Sequence, residues 1–245
     1  MEPLFVLVPG AGGDAWYWHR LVPSLAARGA EAVAVDLPAA DDAAGLSEYA
    51  DTVVSTVAEV AGRAEPRVLV AQSMAGLSAP LVCERMPVAL LVLVNAMVPL
   101  PGEPPGEWWT NVGFEAARQE QAARDGRQFS DDDGEALRDV FFHDVPDEVV
   151  AQAMALGEPQ QSSMPFEQPS LVTRWPDVPT RVLATLDDRF FPVELQRRVS
   201  LDRLGIVPDE MPGGHLVALS RPDELADRLL AYWLTVDATR PADDS

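Results

Sequence analysis

Arg67-Val68-Leu69-Val70-Ala71-Gln72-Ser73-Met74-Ala75-Gly76 reads as a short buried strand breaking sharply into a helix of small residues. A serine at such a break has its hydroxyl thrust out at the carboxyl end of a sheet. Small residues two before and two after it let strand and helix come close enough for the strained turn, the shape known as a nucleophile elbow. Ala71 and Ala75 hold those two positions, where glycine is usual, so the stretch is a degenerate G-x-S-x-G. An ordinary strand-to-helix turn with a capping serine would use the same residues. Partners elsewhere in the chain separate the two readings.

A serine hydroxyl is a poor nucleophile near neutral pH unless a base takes its proton and a third group orients that base. The histidines are His19, His143 and His215. His215 closes the glycine-rich turn Met211-Pro212-Gly213-Gly214-His215, after the apolar stretch Leu204 to Val207 and directly before a helical segment. Upstream, Val182-Leu183-Ala184-Thr185-Leu186 reads as a buried strand ending in Asp187-Asp188-Arg189-Phe190-Phe191-Pro192. Serine, then acid, then histidine is the chain order of one particular enzyme architecture. Asp187 and Asp188 point to different sides of an extended segment, so only one of them can orient His215. His19, after Trp18, and His143, in Phe141-Phe142-His143-Asp144, have packing or surface roles as their ordinary explanation, although His143 could face a pocket.

Outward from the serine, strands alternate with amphipathic helices: strand 4–8, helix 16–28, strand 31–35, helix 47–62, strand 67–72, helix 74–86, strand 89–95. Continuous apolar strands alternating with helices predict an α/β fold with a mostly parallel sheet covered on both faces. From Pro99 to about Pro179 the chain is proline-rich and then carries charged helical stretches, Phe114 to Arg124 and Ser130 to Phe142, with no convincing strand. Trp108, Trp109, Phe114, Phe141, Phe142 and Phe166 give this stretch its apolar bulk. Strands at 180–186 and 205–209 finish the sheet, Pro222 to Thr235 closes it with a helix, and Ala238 to Ser245 reads as a frayed polar end. The division expected is a core of 1–98 and 177–245 with a helical insertion at 99–176.

At these residues the chain resembles the α/β-hydrolase superfamily, and more narrowly its methylesterase and hydroxynitrile lyase branch with bacterial esterase-like relatives. The resemblance starts at Leu4-Phe5-Val6-Leu7-Val8-Pro9-Gly10-Ala11-Gly12-Gly13 and runs through Trp16-Tyr17-Trp18, Ala34-Val35-Asp36-Leu37-Pro38, the elbow and Leu91-Val92-Leu93-Val94-Asn95. It ends with the Asp188 to Gln196 stretch and Gly214-His215. It implies that the insertion is a cap over the active site. It implies too that Ser73 attacks, His215 is the base, and Asp188, four residues before Pro192, is the acid, with Asp187 the fallback. The backbone amides of Ala11 and Met74 would hold the oxyanion. Pro9 replaces a histidine whose side chain helps fix that loop, and Gln72 stands where histidine is common. The threonine and lysine of the lyases are Gly10 and Leu216 here, which disfavours lyase chemistry. A serine rather than an aspartate at 73 disfavours haloalkane dehalogenase and epoxide hydrolase activity.

Composition narrows the classes further. One large domain fits 245 residues, a size that buries roughly 70–75% of its unfolded surface. A net charge of −21, from 39 acidic and 18 basic residues, repels phosphate backbones and anionic lipid, so neither nucleic acid nor membrane is an expected partner. All the basic residues are arginine, which excludes Schiff-base chemistry, pyridoxal-phosphate attachment and a P-loop. Cys83 is the single cysteine, so neither an intramolecular disulfide nor a thiolate cluster can form, and packing is its expected role. Leu4 to Val8 follows Glu2 and precedes Pro9-Gly10, as a strand rather than a signal peptide does, and a cytoplasmic protein is expected. The expectation is a serine carboxylesterase for a small or medium ester, with no cofactor and no metal. Thioester hydrolysis, ligand binding without turnover, and cofactor-free lyase or oxygenase-like chemistry stay open, as does a homodimer formed through a free apolar face of the insertion.

Overall fold

The computed structural model describes residues 2–60, 66–128 and 133–237. Six parallel strands form one sheet: β1 (Leu4–Val8), β2 (Glu31–Ala34), β3 (Arg67–Gln72), β4 (Leu90–Val94), β5 (Thr180–Thr185) and β6 (Asp209–Met211). Their order is β2-β1-β3-β4-β5-β6. The three central strands read as unbroken Val/Leu runs because both their faces are covered. In β1, Leu4, Val6 and Val8 point into one apolar cluster and Phe5 and Leu7 into the other, the period-two alternation of a pleated strand.

Helix α2 (Leu46–Val60) covers the first face with Tyr49, Ala50, Val53 and Val57, joined by α3 (Ala79–Arg85) and α9 (Val193–Leu204). The second face is covered by α1 (Leu21–Ala26) with Leu21 and Leu25, and by α11 (Pro222–Asp237) with Leu225, Leu229, Tyr232 and Trp233. Between β4 and β5 lie α4 (Trp108–Asn111), α5 (Phe114–Arg124), α6 (Asp133–Phe141), α7 (Asp147–Leu156) and α8 (Met164–Glu167), with no strand among the described residues there. Helix α10 (Val217–Ser220) follows the histidine turn.

One strand departs from its sequence reading. The apolar residues Leu204, Ile206 and Val207 suggested pairing over 205–209, yet β6 spans Asp209–Met211. Leu204 still belongs to α9, and Gly205, at φ +69°, turns the chain out of that helix, as glycine at a left-handed C-terminal cap does. The Ser200 hydroxyl then donates to the Ile206 carbonyl at 2.7 Å, so the segment is spent on closing the helix. The helix read over 16–28 is a short 3-10 turn (Ala15–Trp18) followed by α1, and the one over 74–86 is a 3-10 turn (Ser73–Leu77) followed by α3. The polar end 238–245 lies outside the described residues.

Candidate active site

Strand β3 ends at Gln72 in extended geometry (φ −102°, ψ 138°), and Ser73 takes φ +52°. A left-handed serine costs on the order of 1–3 kcal/mol and persists only where its surroundings hold it. Here the Met97 amide donates to the Ser73 carbonyl at 2.9 Å, tying the elbow to the chain leaving β4. Gly76 lies against that chain: a Cβ there would sit 1.9 Å from the Met97 carbonyl oxygen. The residue that must lack a side chain is thus three past the serine, and Ala71 and Ala75, both buried, fit without glycine.

The turn after β6 brings His215 to this serine. Its Nε2 lies 3.0 Å from Ser73 Oγ, and its Nδ1 lies 2.8 Å from Asp188 Oδ2. Asp188 is fully buried. Its Oδ1 accepts from the Phe190 and Phe191 amides, each at 2.8 Å, and its Oδ2 also accepts from Gln196 Nε2 at 3.3 Å. A carboxylate acting as acceptor on all sides places the imidazole proton on Nδ1 and leaves the Nε2 lone pair facing Ser73. Asp187 turns the other way: its Oδ2 accepts from Gly213 N at 3.0 Å, and its own amide donates to Gly213 O. Of the two neighbouring acids, Asp188 meets the ring and Asp187 fastens the backbone that carries the ring.

That backbone is held from several elements. Asp144 Oδ2 accepts from Gly214 N at 2.7 Å, and Thr185 Oγ1 donates to Gly214 O at 3.0 Å. Asn95, fully buried at φ +44°, directs Nδ2 at the Gly214 and His215 carbonyls, 3.4 and 3.3 Å away. Its Oδ1 accepts from the Thr185 amide at 2.9 Å. Phe141, Phe190 and Phe191 stand edge-on to the imidazole at 5.6, 5.1 and 5.1 Å between ring centroids. Phe190 also lines an open cleft of about 530 Å³ with Trp109, Thr110, Gly113 and Phe114.

The glycine-rich loop after β1 passes directly over the elbow, since a Cβ on Gly10 would lie 2.8 Å from Ser73 Cβ. Its amides are largely engaged: Gly10 N donates to Gln72 Oε1 at 3.1 Å, Gly12 N to Gln161 Oε1 at 3.0 Å, and Gly13 N to Gly10 O at 3.1 Å. Among the described residues, no protein acceptor meets the amide of Ala11 or of Met74. These are the two amides singled out in the sequence.

The other histidines stand apart from the serine. His19 stacks on Trp16 at 4.3 Å, with Nδ1 2.8 Å from the Trp16 carbonyl. His143 lies beside Gly214 rather than Ser73, and burial, helped by the Arg189 charge, lowers its pKa below the usual histidine value. Trp108 is buried with Nε1 donating to the Val98 carbonyl, Phe142 packs in the second-face cluster, and Phe166 packs on Trp109. The sequence did not reveal Gln161, Asn95, Thr185 or Asp144 as neighbours of the site, nor the structural role of Gln72. Phe190 and Phe191 were in view only as part of the acid's motif. No cluster of metal-binding side chains occurs among the described residues, and no helix among them is long and apolar enough to cross a membrane.

A model of the alpha/beta hydrolase family matches residues 5–228. Esterase PIR7B of Oryza sativa subsp. japonica is 30% identical over 254 residues, covering 92% of this chain and 94% of that protein. The pyrethroid hydrolase of Sphingobium wenxiniae is 29% identical, covering 93% and 86%. Among solved structures, polyneuridine aldehyde esterase superposes with a TM-score of 0.76 at 23% identity, over 95% of this chain and 100% of that one. Tomato methylketone synthase I superposes at 0.74 with 19% identity, over 96% and 98%. At these identities the structural likeness speaks for the fold.

Proposed function

The chain belongs to the alpha/beta hydrolase family, and from that premise we propose that it is a serine carboxylester hydrolase working through an acyl-enzyme. The observation that carries the reading is the unbroken relay from Ser73 Oγ to His215 Nε2 and from His215 Nδ1 to Asp188 Oδ2, at 3.0 and 2.8 Å. Ser73 attacks the ester carbonyl while His215 takes its proton. Asp188 keeps the ring in the tautomer that can do so and stabilises the imidazolium that forms. The charge developing on the carbonyl oxygen falls to the amides of Ala11 and Met74, a contribution worth about 10²–10³ in turnover per donor. His215 returns the proton to the leaving alcohol, and water repeats the sequence on the acyl-enzyme.

The segment 99–176 acts in this scheme as a cap on the core of 1–98 and 177–245. Two contacts support that role: Phe141 reaches the imidazole, and Gln161 reaches the Gly12 amide. Esters of small or medium size are the proposed substrates, in keeping with the esterases among the relatives, and thioesters suit the same oxyanion site. Hydrolysis of a panel of p-nitrophenyl esters by the wild type and by Ser73→Ala tests the proposal. Turnover abolished in the variant is the expected result. An unchanged rate removes Ser73 as nucleophile, and ligand binding with no turnover in the wild type turns the protein into a binder on a hydrolase fold.

A further inference from the structure

Two glutamines from distant parts of the chain grip the loop that carries Ala11. Gln72 is buried, and its Oε1 accepts from Gly10 N at 3.1 Å. Gln161, in the segment between β4 and β5, offers Oε1 to Gly12 N at 3.0 Å. The orientation of each amide is dictated by its other end. Gln161 Nε2 donates to Tyr49 Oη at 3.1 Å and to the Ser162 carbonyl at 2.8 Å, and Gln72 Nε2 points at the His215 carbonyl, 3.4 Å away. An N–H accepts nothing, so only the oxygen of each side chain can meet a loop amide.

The consequence lies between the two contacts. Gly10 and Gly12 flank Ala11, and Gly13 N is used by the turn itself. The Ala11 N–H shares a peptide plane with the Gly10 carbonyl, which accepts from Gly13 N at 3.1 Å. With the amides on either side also held, this plane is restrained, and its N–H is the amide of this run left to meet the carbonyl oxygen of an ester at Ser73. We infer that Gln72 and Gln161 are positioning residues for the oxyanion loop, aiming the Ala11 amide by holding the amides on either side of it. Gln72 couples the same loop to the backbone of His215, and Gln161 couples it to α2 and to the segment over the site. The loop lacks a histidine before Gly10, where Pro9 stands, and these side-chain oxygens, reaching across 62 and 149 positions, hold it instead.

The inference rests on the serine-esterase reading, and its test separates the two. Gln161→Leu removes the acceptor while the segment stays pinned by Ser162 N on the Ala39 carbonyl at 2.7 Å, so the fold is kept. Gln161→Glu restores an acceptor for Gly12 N and offers one to the Tyr49 hydroxyl, but sets that second oxygen against the Ser162 carbonyl. Gln72→Met removes the other grip at nearly constant volume. With p-nitrophenyl acetate, Gln161→Leu and Gln72→Met should each lower kcat by about 10- to 100-fold, the scale of a small misplacement at a reacting centre, with KM little changed. Gln161→Glu should recover part of the loss. Melting temperatures taken alongside report on folding, which a merely structural role would move without this split between kcat and KM. Wild-type kcat in Gln161→Leu, or a loss that falls on KM rather than kcat, overturns the inference while leaving the esterase reading intact. Hydrolysis that survives Ser73→Ala removes that reading and the inference with it.

Discussion

Replacing Asp188 by asparagine changes one atom, and the structure says which way the new amide must face. Asp188 Oδ1 accepts two backbone amides, from Phe190 and Phe191, at 2.8 Å each, while Oδ2 faces His215 Nδ1. In Asp188→Asn, turning the NH2 toward Phe190 and Phe191 would strand two buried donors, at about 1–3 kcal/mol each. Turning it toward His215 asks that the imidazole move its proton from Nδ1 to Nε2 and gives up the 3.3 Å bond from Gln196 Nε2, which still donates to the Phe191 carbonyl at 2.7 Å, a smaller cost. The amide therefore faces the ring, Nε2 carries a hydrogen toward Ser73 Oγ, and the base has no lone pair left for the serine proton. A wrong tautomer in an otherwise intact site lowers kcat by about 10⁴ in the serine protease example, or about 5.4 kcal/mol of barrier. Asp187→Asn keeps an oxygen for Gly213 N and leaves the ring untouched, so its loss should stay below about tenfold, under 1.4 kcal/mol. Steady-state kinetics on p-nitrophenyl acetate, with thermal melts to confirm folding, compare the two. A loss in Asp187→Asn equal to or greater than that in Asp188→Asn refutes the reasoning.

Three other outcomes follow from features around the site. Gly76→Ala places a methyl 1.9 Å from the Met97 carbonyl, and since Met97 N holds Ser73 O the elbow cannot yield cheaply. We expect a loss of about 3 kcal/mol or more in stability, read by denaturant unfolding, and a near-neutral result would mean that the strand-to-helix approach is looser than described. Burial opposes the charge on Glu103, but hydrogen bonds from Arg203, Asn111 and the Leu100 amide outweigh it and hold the carboxyl below its ordinary value. Stability from this group is complete above the unfolded carboxyl's pKa of about 4.3 and is lost as pH falls through the lower folded value. Wild type should then lose more stability than Glu103→Gln on acidification from about pH 5 to pH 3, whereas parallel curves would argue against the ion pair with Arg203. Cys83 is half-buried, and burial, with the Glu84 charge second, pushes its thiol up to about 12, so a thiol reagent at neutral pH should modify the native protein much more slowly than the unfolded chain. Equal labelling rates for folded and unfolded protein would contradict the raised pKa.

The sheet was legible wherever strands are apolar runs: β1 and β3 sit where 4–8 and 67–72 suggested, and β4 (Leu90–Val94) falls within the 89–95 read from sequence. Strand β6 was not, because Asp209-Glu210-Met211 is a short polar edge while the apolar residues just before it serve the end of α9. Ser73 and His215 stood out through residue type and chain order, Asp188 was preferred to Asp187 through the family resemblance, and the structure brings the three within hydrogen-bonding distance. The supporting shell was another matter. Gln72, Asn95, Gln161 and Asp144 reach the site through hydrogen bonds that span 62 to 149 positions, and such contacts leave no periodic trace. Gly76 carries a usable signal, as a glycine just past the elbow, but it lies outside the two positions of the motif, Ala71 and Ala75, where glycine is more familiar.

The central claim is that the hydroxyl of residue 73 is made nucleophilic by the groups gathered around it. Treatment with a fluorophosphonate, followed by peptide mapping, tests it most directly. The account predicts one adduct, on Ser73, absent from Ser73→Ala and strongly slowed in Asp188→Asn. Ester hydrolysis by a wild-type protein that takes up no label, or takes it up on another residue, would contradict it.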